Sequence, residues 1–241
     1  MAKFRFILFL FFSINMFSQN VEVIYKASAK HIDTIENVRS SNIIRKITNN
    51  INDIMPNIDF VLTSNNNFYN MTYKRIMPND LQNENFFNLS IIRALDGVLI
   101  NGDFEKGMSY YESRNLKKVR SVNMNNIEWT ITKEYKNIIG YKCYKAIGSI
   151  KDPDQENKLT PPSVAWFTPE MNFRGGPTAY ANLPGLILEL ETPKIIFQAT
   201  DLKMKRNVSL KEPKYNSDNI LPHKEWQIYF EKMNPIPKSN K

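Results

Sequence analysis

Residues 177–190 read PTAYANLPGLILEL, and their reading decides how the late part of the chain is laid down. A Leu-Pro-Gly turn runs straight into an apolar stretch. Pro184 fixes φ near about −65° and offers no backbone donor, while Gly185 has access to positive φ, so the pair restricts the backbone to one path. Leu186, Leu188 and Leu190 then alternate with Glu189 and Glu191, which predicts a strand with leucines on one face and glutamates in water. A one-residue slip would exchange those faces, so the turn is expected to set the register.

Working outward, a Thr192-Pro193 turn leads to a partner strand at 194–200, and 163–168 forms a strand around Trp166. Between them, 169–182 makes a long excursion containing Gly175-Gly176-Pro177. Upstream, 108–112, 116–122, 127–132 and 138–150 are short runs rich in β-branched and aromatic residues. Further strands are predicted over 58–63, 68–76, 87–95 and 97–100, with Asp96-Gly97 as a hairpin signal. Residues 21–27 alternate as a first strand. Over 33–55 the period changes: Ile35, Val38, Ile44, Ile47, Ile51 and Ile54 recur at helical spacing until Pro56 stops them. Residues 151–162 are polar and Pro-bearing, a loop; from about 211 the chain reads as a polar tail, with one more edge strand at 226–230.

Strands joined in sequence by short turns imply antiparallel pairing rather than βαβ units. The expected fold class is therefore mainly β (α+β): a curved antiparallel sheet of many strands packed against one long N-terminal amphipathic helix. In outline this resembles a lipoprotein-carrier half-barrel, which implies an apolar ligand. No repeat of fixed period occurs, so residues 19–241 are read as one domain.

The first eighteen residues carry Lys3 and Arg5, then an apolar run from Phe6 to Phe12, and end on the small Ser18. This is the pattern of a secretory signal peptide cleaved before Gln19. The run is shorter than the roughly 20 residues of a membrane-spanning helix, so the expectation is an exported protein, periplasmic or extracellular, with no transmembrane segment in the mature chain. Losing Lys3 and Arg5 lowers the formal charge from +8 to about +6. Basic and acidic residues are interspersed rather than clustered with aromatics, which argues against a nucleic-acid partner.

His31, His223 and Cys143 are the chain's histidines and cysteine. Remote from one another in sequence, they cannot supply the usual zinc spacings, and one cysteine cannot form an internal disulfide. Cys143 is expected to be a small buried hydrophobe. Its nucleophile reading would require a histidine close in space. Asp152, Asp154 and Glu156 cluster without the glycine and distal glutamate of a calcium loop. No phosphate-binding glycine loop or nucleophile elbow is present, and no cofactor or metal is expected.

Trp166-Phe-Thr-Pro-Glu170, then Gly176-Pro177, then Leu183-Pro-Gly-Leu-Ile187, preceded by Trp129-Thr-Ile-Thr-Lys133 and Gly140-Tyr-Lys-Cys-Tyr-Lys-Ala146, resemble the GLPGLI family. These are secreted proteins, typical of the Bacteroidota and of unknown molecular function. The resemblance covers about residues 127–204 and implies an extracytoplasmic, mostly β protein. The hexapeptide's first glycine is Asn182 here, the non-Gly residue type that best tolerates positive φ, so a backbone role there survives the change.

Two readings of 169–185 stand side by side. In one, its glycines and prolines are corner pieces of the core. In the other, Trp166, Phe173, Gly175, Gly176, Pro177, Tyr180, Leu183, Pro184 and Gly185 line an opening that binds an apolar small molecule or an envelope protein. The functional expectation is a non-enzymatic binding or envelope interaction module. The alternative is a hydrolase with a carboxylate- or hydroxyl-based site lacking a readable motif.

Overall fold

A computed structural model describes residues 20–30, 42–75, 84–114, 116–151, 164–205 and 210–233. The expected signal segment, the start of the expected helix and nearly all of the 151–162 loop lie outside these residues.

Twelve strands form one sheet among the described residues. In chain order they are β1 (Asn20–Ala29), β2 (Phe60–Ser64), β3 (Phe68–Tyr73), β4 (Leu99–Asp103), β5 (Met108–Glu112), β6 (Val119–Asn123), β7 (Ile127–Ile138), β8 (Tyr141–Ile150), β9 (Val164–Thr168), β10 (Leu186–Glu191), β11 (Ile195–Lys205) and β12 (Ile220–Pro222). Their spatial order is β12-β6-β5-β4-β3-β2-β1-β11-β10-β9-β8-β7. All neighbours pair antiparallel except β12 with β6, which are parallel, so the sheet is mixed rather than wholly antiparallel.

The connection from β6 to β7 forces this sheet to curl. Ten strand spacings separate them, on the order of 50 Å if the sheet were flat. Yet only a 3-10 turn, Met124–Asn126, joins them, and such a link reaches at most about 14 Å. The two ends of the sheet must therefore approach each other. Accordingly Val122 and Met124 from one end share a core with Ile127, Ile138 and Cys143 from the other. The link is tied to both sides: Met124 N–H donates to Gly107 O at 2.8 Å, and Lys151 N–H to Asn126 O at 2.8 Å.

The helices correct the sequence reading in three places. Instead of one long helix, the described residues hold α1 (Asn42–Ile54), continued by a 3-10 turn at Met55–Asn57, and α2 (Glu84–Leu95) packed against it. Residues 87–95, expected as a strand, are helical: Phe87, Ile91, Ala94 and Leu95 are buried at helical spacing. Ser90 Oγ donates to Phe86 O at 2.7 Å and sits 3.1 Å from Ile51 O, linking α2 to α1. Asp96-Gly97 is then no hairpin; Asp96, at φ 57°, ends α2 in the left-handed region. Finally, 226–230 belongs to α3 (His223–Met233), not to an edge strand, because its aromatics stack at helical intervals, Trp226 on Tyr229 at 5.8 Å and on Phe230 at 6.4 Å. Aromatic and β-branched runs carry a β signal that tertiary packing here overrides.

The β7–β8 turn holds Ile139 at φ 44° and Gly140 at φ 89°, the positive pair a two-residue hairpin turn requires.

Candidate functional site

The excursion between β9 and β10 runs inside the curled sheet. Every residue from Gly175 to Ala181 is buried, as are Leu183 and Gly185 to Leu188. Buried backbone polar groups must find partners, and tyrosines from alternate strands supply several of them. Tyr25 on β1 donates its hydroxyl to Ile187 O at 2.5 Å. Tyr69 on β3 donates to Thr178 O at 2.9 Å and also meets Ser109 Oγ at 2.7 Å. Tyr111 on β5 accepts from Ala179 N–H at 2.8 Å. Ser64 on β2 donates to Arg174 O at 2.6 Å, and Gly175 O accepts from Ile187 N–H at 2.9 Å.

Burial holds these phenols protonated. It pushes Tyr25, Tyr69 and Tyr180 far above the ordinary tyrosine value and Tyr111 up to about 12, the nearby Arg120 guanidinium opposing part of the rise at Tyr111.

The sequence-predicted site residues separate. Gly175, Gly176, Pro177, Tyr180, Leu183 and Gly185 come together in the interior, Phe173 is half-buried against it, and Pro184 is exposed. Trp166 does not point in with them: it alternates with the buried Ala165 and Phe167 on β9 and is half-buried, packed at the margin of the core. There Lys136 Nζ stands 4.4 Å from its ring centroid and bonds Glu189 at 2.7 Å.

Gly185 is required for space rather than for positive φ. Its φ lies outside the left-handed region, but an added Cβ would sit 2.3 Å from Thr168 O. Gly176 is similarly pressed, a Cβ meeting the Ile187 side chain at 2.7 Å. Gly175 does use positive φ, at 144°. The leucine alternation is interrupted by a bulge: Ile187 pairs Phe167 and Glu189 pairs Trp166, so Leu188 is the extra residue and Ile187 shares the inner face with Leu190. Asn182 acts through its side chain, accepting from Trp129 Nε1 at 2.7 Å and donating to Ile127 O at 2.9 Å. It ties the loop to the start of β7 and is not at positive φ.

Where α2 ends, a charged group meets this interior. Arg120 on β6 is buried, lies 4.1 Å over the Tyr111 ring and bonds Asp96 at 2.5 Å. Thr178, beside Tyr111, is held at φ 62°, a strained position for a β-branched residue. Cys143 is buried, its thiol raised to about 11 by desolvation, and no described histidine accompanies it. Among the described residues no group of three or more His, Cys, Asp or Glu side chains could hold a metal ion.

An open recess lies outside the sheet, where the segment around Tyr215 crosses the β5–β6 turn. It is lined by Glu112, Ser113, Lys117, Lys118, Lys214 and Tyr215, with a volume of about 320 Å³. Sequence reasoning placed its far wall in a polar tail and missed it. The signal available was Tyr215, an aromatic residue isolated in a polar stretch.

Residues 100–221 match the family described as N-glycanase peptide, N-terminal domain. Among solved structures, PNGF-II in a C2 crystal form is 16% identical with a TM-score of 0.46, over 86% of this chain and 32% of that one. In a P21 form it is 15% identical with a TM-score of 0.44, over 85% and 31%. An uncharacterized conserved protein from Thermus thermophilus is 5% identical with a TM-score of 0.35, over 85% and 91%. No curated protein sequence shows significant similarity. The chain spans about a third of the length of the PNGF-II chains. The family match runs from β4 through the interior loop and the recess to β12. It takes in half of the chain, which therefore belongs to the N-glycanase peptide, N-terminal domain family.

Proposed function

We propose that this chain is an exported, non-catalytic interaction module that meets its partner on its outer surface, in the service of glycan-processing chemistry. One observation carries the reading. The space in which a carrier would keep an apolar ligand is filled by 175–188 of the chain itself, bonded to Tyr25, Tyr69 and Tyr111. A carrier reading would require that segment to leave, stripping several buried polar groups of their partners at roughly 1–3 kcal/mol each. The glycan connection comes from the family's name. Export, and a kinship with GLPGLI-type secreted proteins, rest on residues 1–18 and on the motif at 183–187.

The test is native purification from fractionated cells, with N-terminal sequencing and mass spectrometry of bound molecules. The expected result is a chain starting at Gln19 in the periplasmic or extracellular fraction, free of lipid. A stoichiometric apolar ligand would overturn the reading. The hydrolase alternative draws support from the Asp96–Arg120 pair beside Tyr111 and Thr178; hydrolysis of a chromogenic glycoside or ester that Asp96→Asn abolishes would establish it.

A further inference from the structure

The recess beside Tyr215 has features of a built site. Its wall is held by a chain of hydrogen bonds. Tyr215 Oη donates to Glu112 Oε1 at 2.7 Å and accepts from Asn101 Nδ2 at 2.7 Å, while Asn101 Oδ1 accepts from Asn70 Nδ2 at 2.8 Å. The Tyr215 ring packs on Tyr110, centroids 5.1 Å apart. The wall is thus fixed from β3, β4 and β5 at once, a preorganisation that lowers the ordering cost of binding.

The charges of the recess do not cancel. Three lysines, Lys117, Lys118 and Lys214, face one carboxylate, Glu112, an excess of 3 − 1 = 2 positive charges. Lys118 donates to Asp218 O, a neutral carbonyl. Among the described residues Lys117 and Lys214 have no ion-pair partner, and Glu112 has none. Ser113, Glu112 and Tyr215 add hydroxyl and carboxylate groups able to bond a ligand's hydroxyls. A volume of about 320 Å³ is at the lower end of the roughly 300–1,000 Å³ typical of small-molecule sites and large for an inorganic anion.

We propose that this recess binds an acidic sugar, a hexuronate-type residue whose carboxylate meets Lys117 and Lys214 and whose ring hydroxyls meet the Glu112–Tyr215 wall. The assignment rests on the reading of the chain as a binding module and names the ligand class for it. The carboxylate supplies the selection for charge, and the hydroxyls exclude a bare anion as the best occupant.

The experiment is titration of the full mature chain with D-glucuronate, followed by amide chemical shifts and calorimetry, with D-glucose, inorganic sulfate and inorganic phosphate in parallel. A dissociation constant on the order of 1 mM is expected for glucuronate, as small polar ligands give, with at least tenfold weaker binding of glucose and of either inorganic anion. Lys117→Gln and Lys214→Gln, both at exposed positions, are expected to weaken glucuronate roughly fivefold each, as loss of one charge-assisted contact does. Lys214→Arg should retain binding, and Lys142→Gln, outside the recess, should not change it. Equal binding of glucose, equal binding of sulfate or phosphate, or unchanged affinity in both lysine-to-glutamine variants would overturn the proposal. Those outcomes leave the module reading standing. Turnover of a glycoside or co-purification of lipid would instead sink the module reading and leave the recess as measured.

Discussion

Tyr69→Phe isolates the role of the interior hydroxyls. The ring lies over Gly102, whose hypothetical Cβ would fall 1.7 Å from it, and a phenylalanine ring fills the same space. What is lost is one oxygen, and with it the bond to Thr178 O and the contact with Ser109. Leaving a buried carbonyl without its donor costs about 1–3 kcal/mol, so about 2 kcal/mol is expected at pH 8. For a chain of this size that lowers Tm by roughly 4–8 °C. The pH dependence sharpens the test. Burial raises the folded pKa of Tyr69 far above its unfolded value of 10.0. A raised pKa contributes stability that is fully present below the unfolded value and is lost as pH rises from there towards the folded value. At pH 11 the unfolded tyrosine is mostly ionised, which stabilises the unfolded wild type by about RT ln 11, or about 1.4 kcal/mol. The phenylalanine variant lacks that term, so its deficit shrinks from about 2 to about 0.6 kcal/mol. Urea unfolding at pH 8 and pH 11 measures both numbers, with Tyr135→Phe, whose side chain is exposed, as the control. A deficit below about 0.5 kcal/mol at pH 8, the size of an ordinary surface effect, or an equal deficit at both pH values, would refute the account of the interior loop.

Three further outcomes are expected. Gly185→Ala should destabilise by about 1–3 kcal/mol through its clash with Thr168 O; an unchanged urea midpoint would show that β9 and β10 can part without cost. Cys143, its thiol pushed up to about 11, should react with an aromatic disulfide at pH 8 roughly 100-fold more slowly in the native protein than in urea, and equal rates would show it accessible. Asp96→Asn should cost about 1–2 kcal/mol by weakening the charge-assisted bond to the buried Arg120. Asp96→Ala should cost about 1 kcal/mol more, because alanine tolerates φ 57° poorly; equal costs in thermal melts would discard the left-handed cap.

Most strands were legible because alternation is a local property. The residues of β1 and β10 announce themselves by period and those of β5 and β9 by aromatic density, whereas 138–150, which reads as one run, breaks at the Ile139-Gly140 turn. Residues 87–95 were not legible as a helix, since Phe, Ile and Leu at that density fit a buried strand equally well. What decided them was a partner, α1, through Ser90 and Ile51. The motif at 183–187 was visible as a constrained path, yet its reason was not: Gly185 serves a contact with Thr168, a residue 17 positions earlier. The recess was invisible because its walls come from 112–119 and 214–219, which nothing local connects.

The sequence by itself determined a strand-rich chain and a proline-glycine turn that admits few backbone paths. Those properties are written in neighbouring residues, where periodicity and φ restriction act. Only the tertiary structure decided that the turn belongs to a segment filling the interior, that Trp166 does not point in with it, and that lysines from two distant stretches surround Tyr215. Such facts depend on which strand follows which around the curl, and on the short link at Met124–Asn126 that draws the two ends of the sheet together.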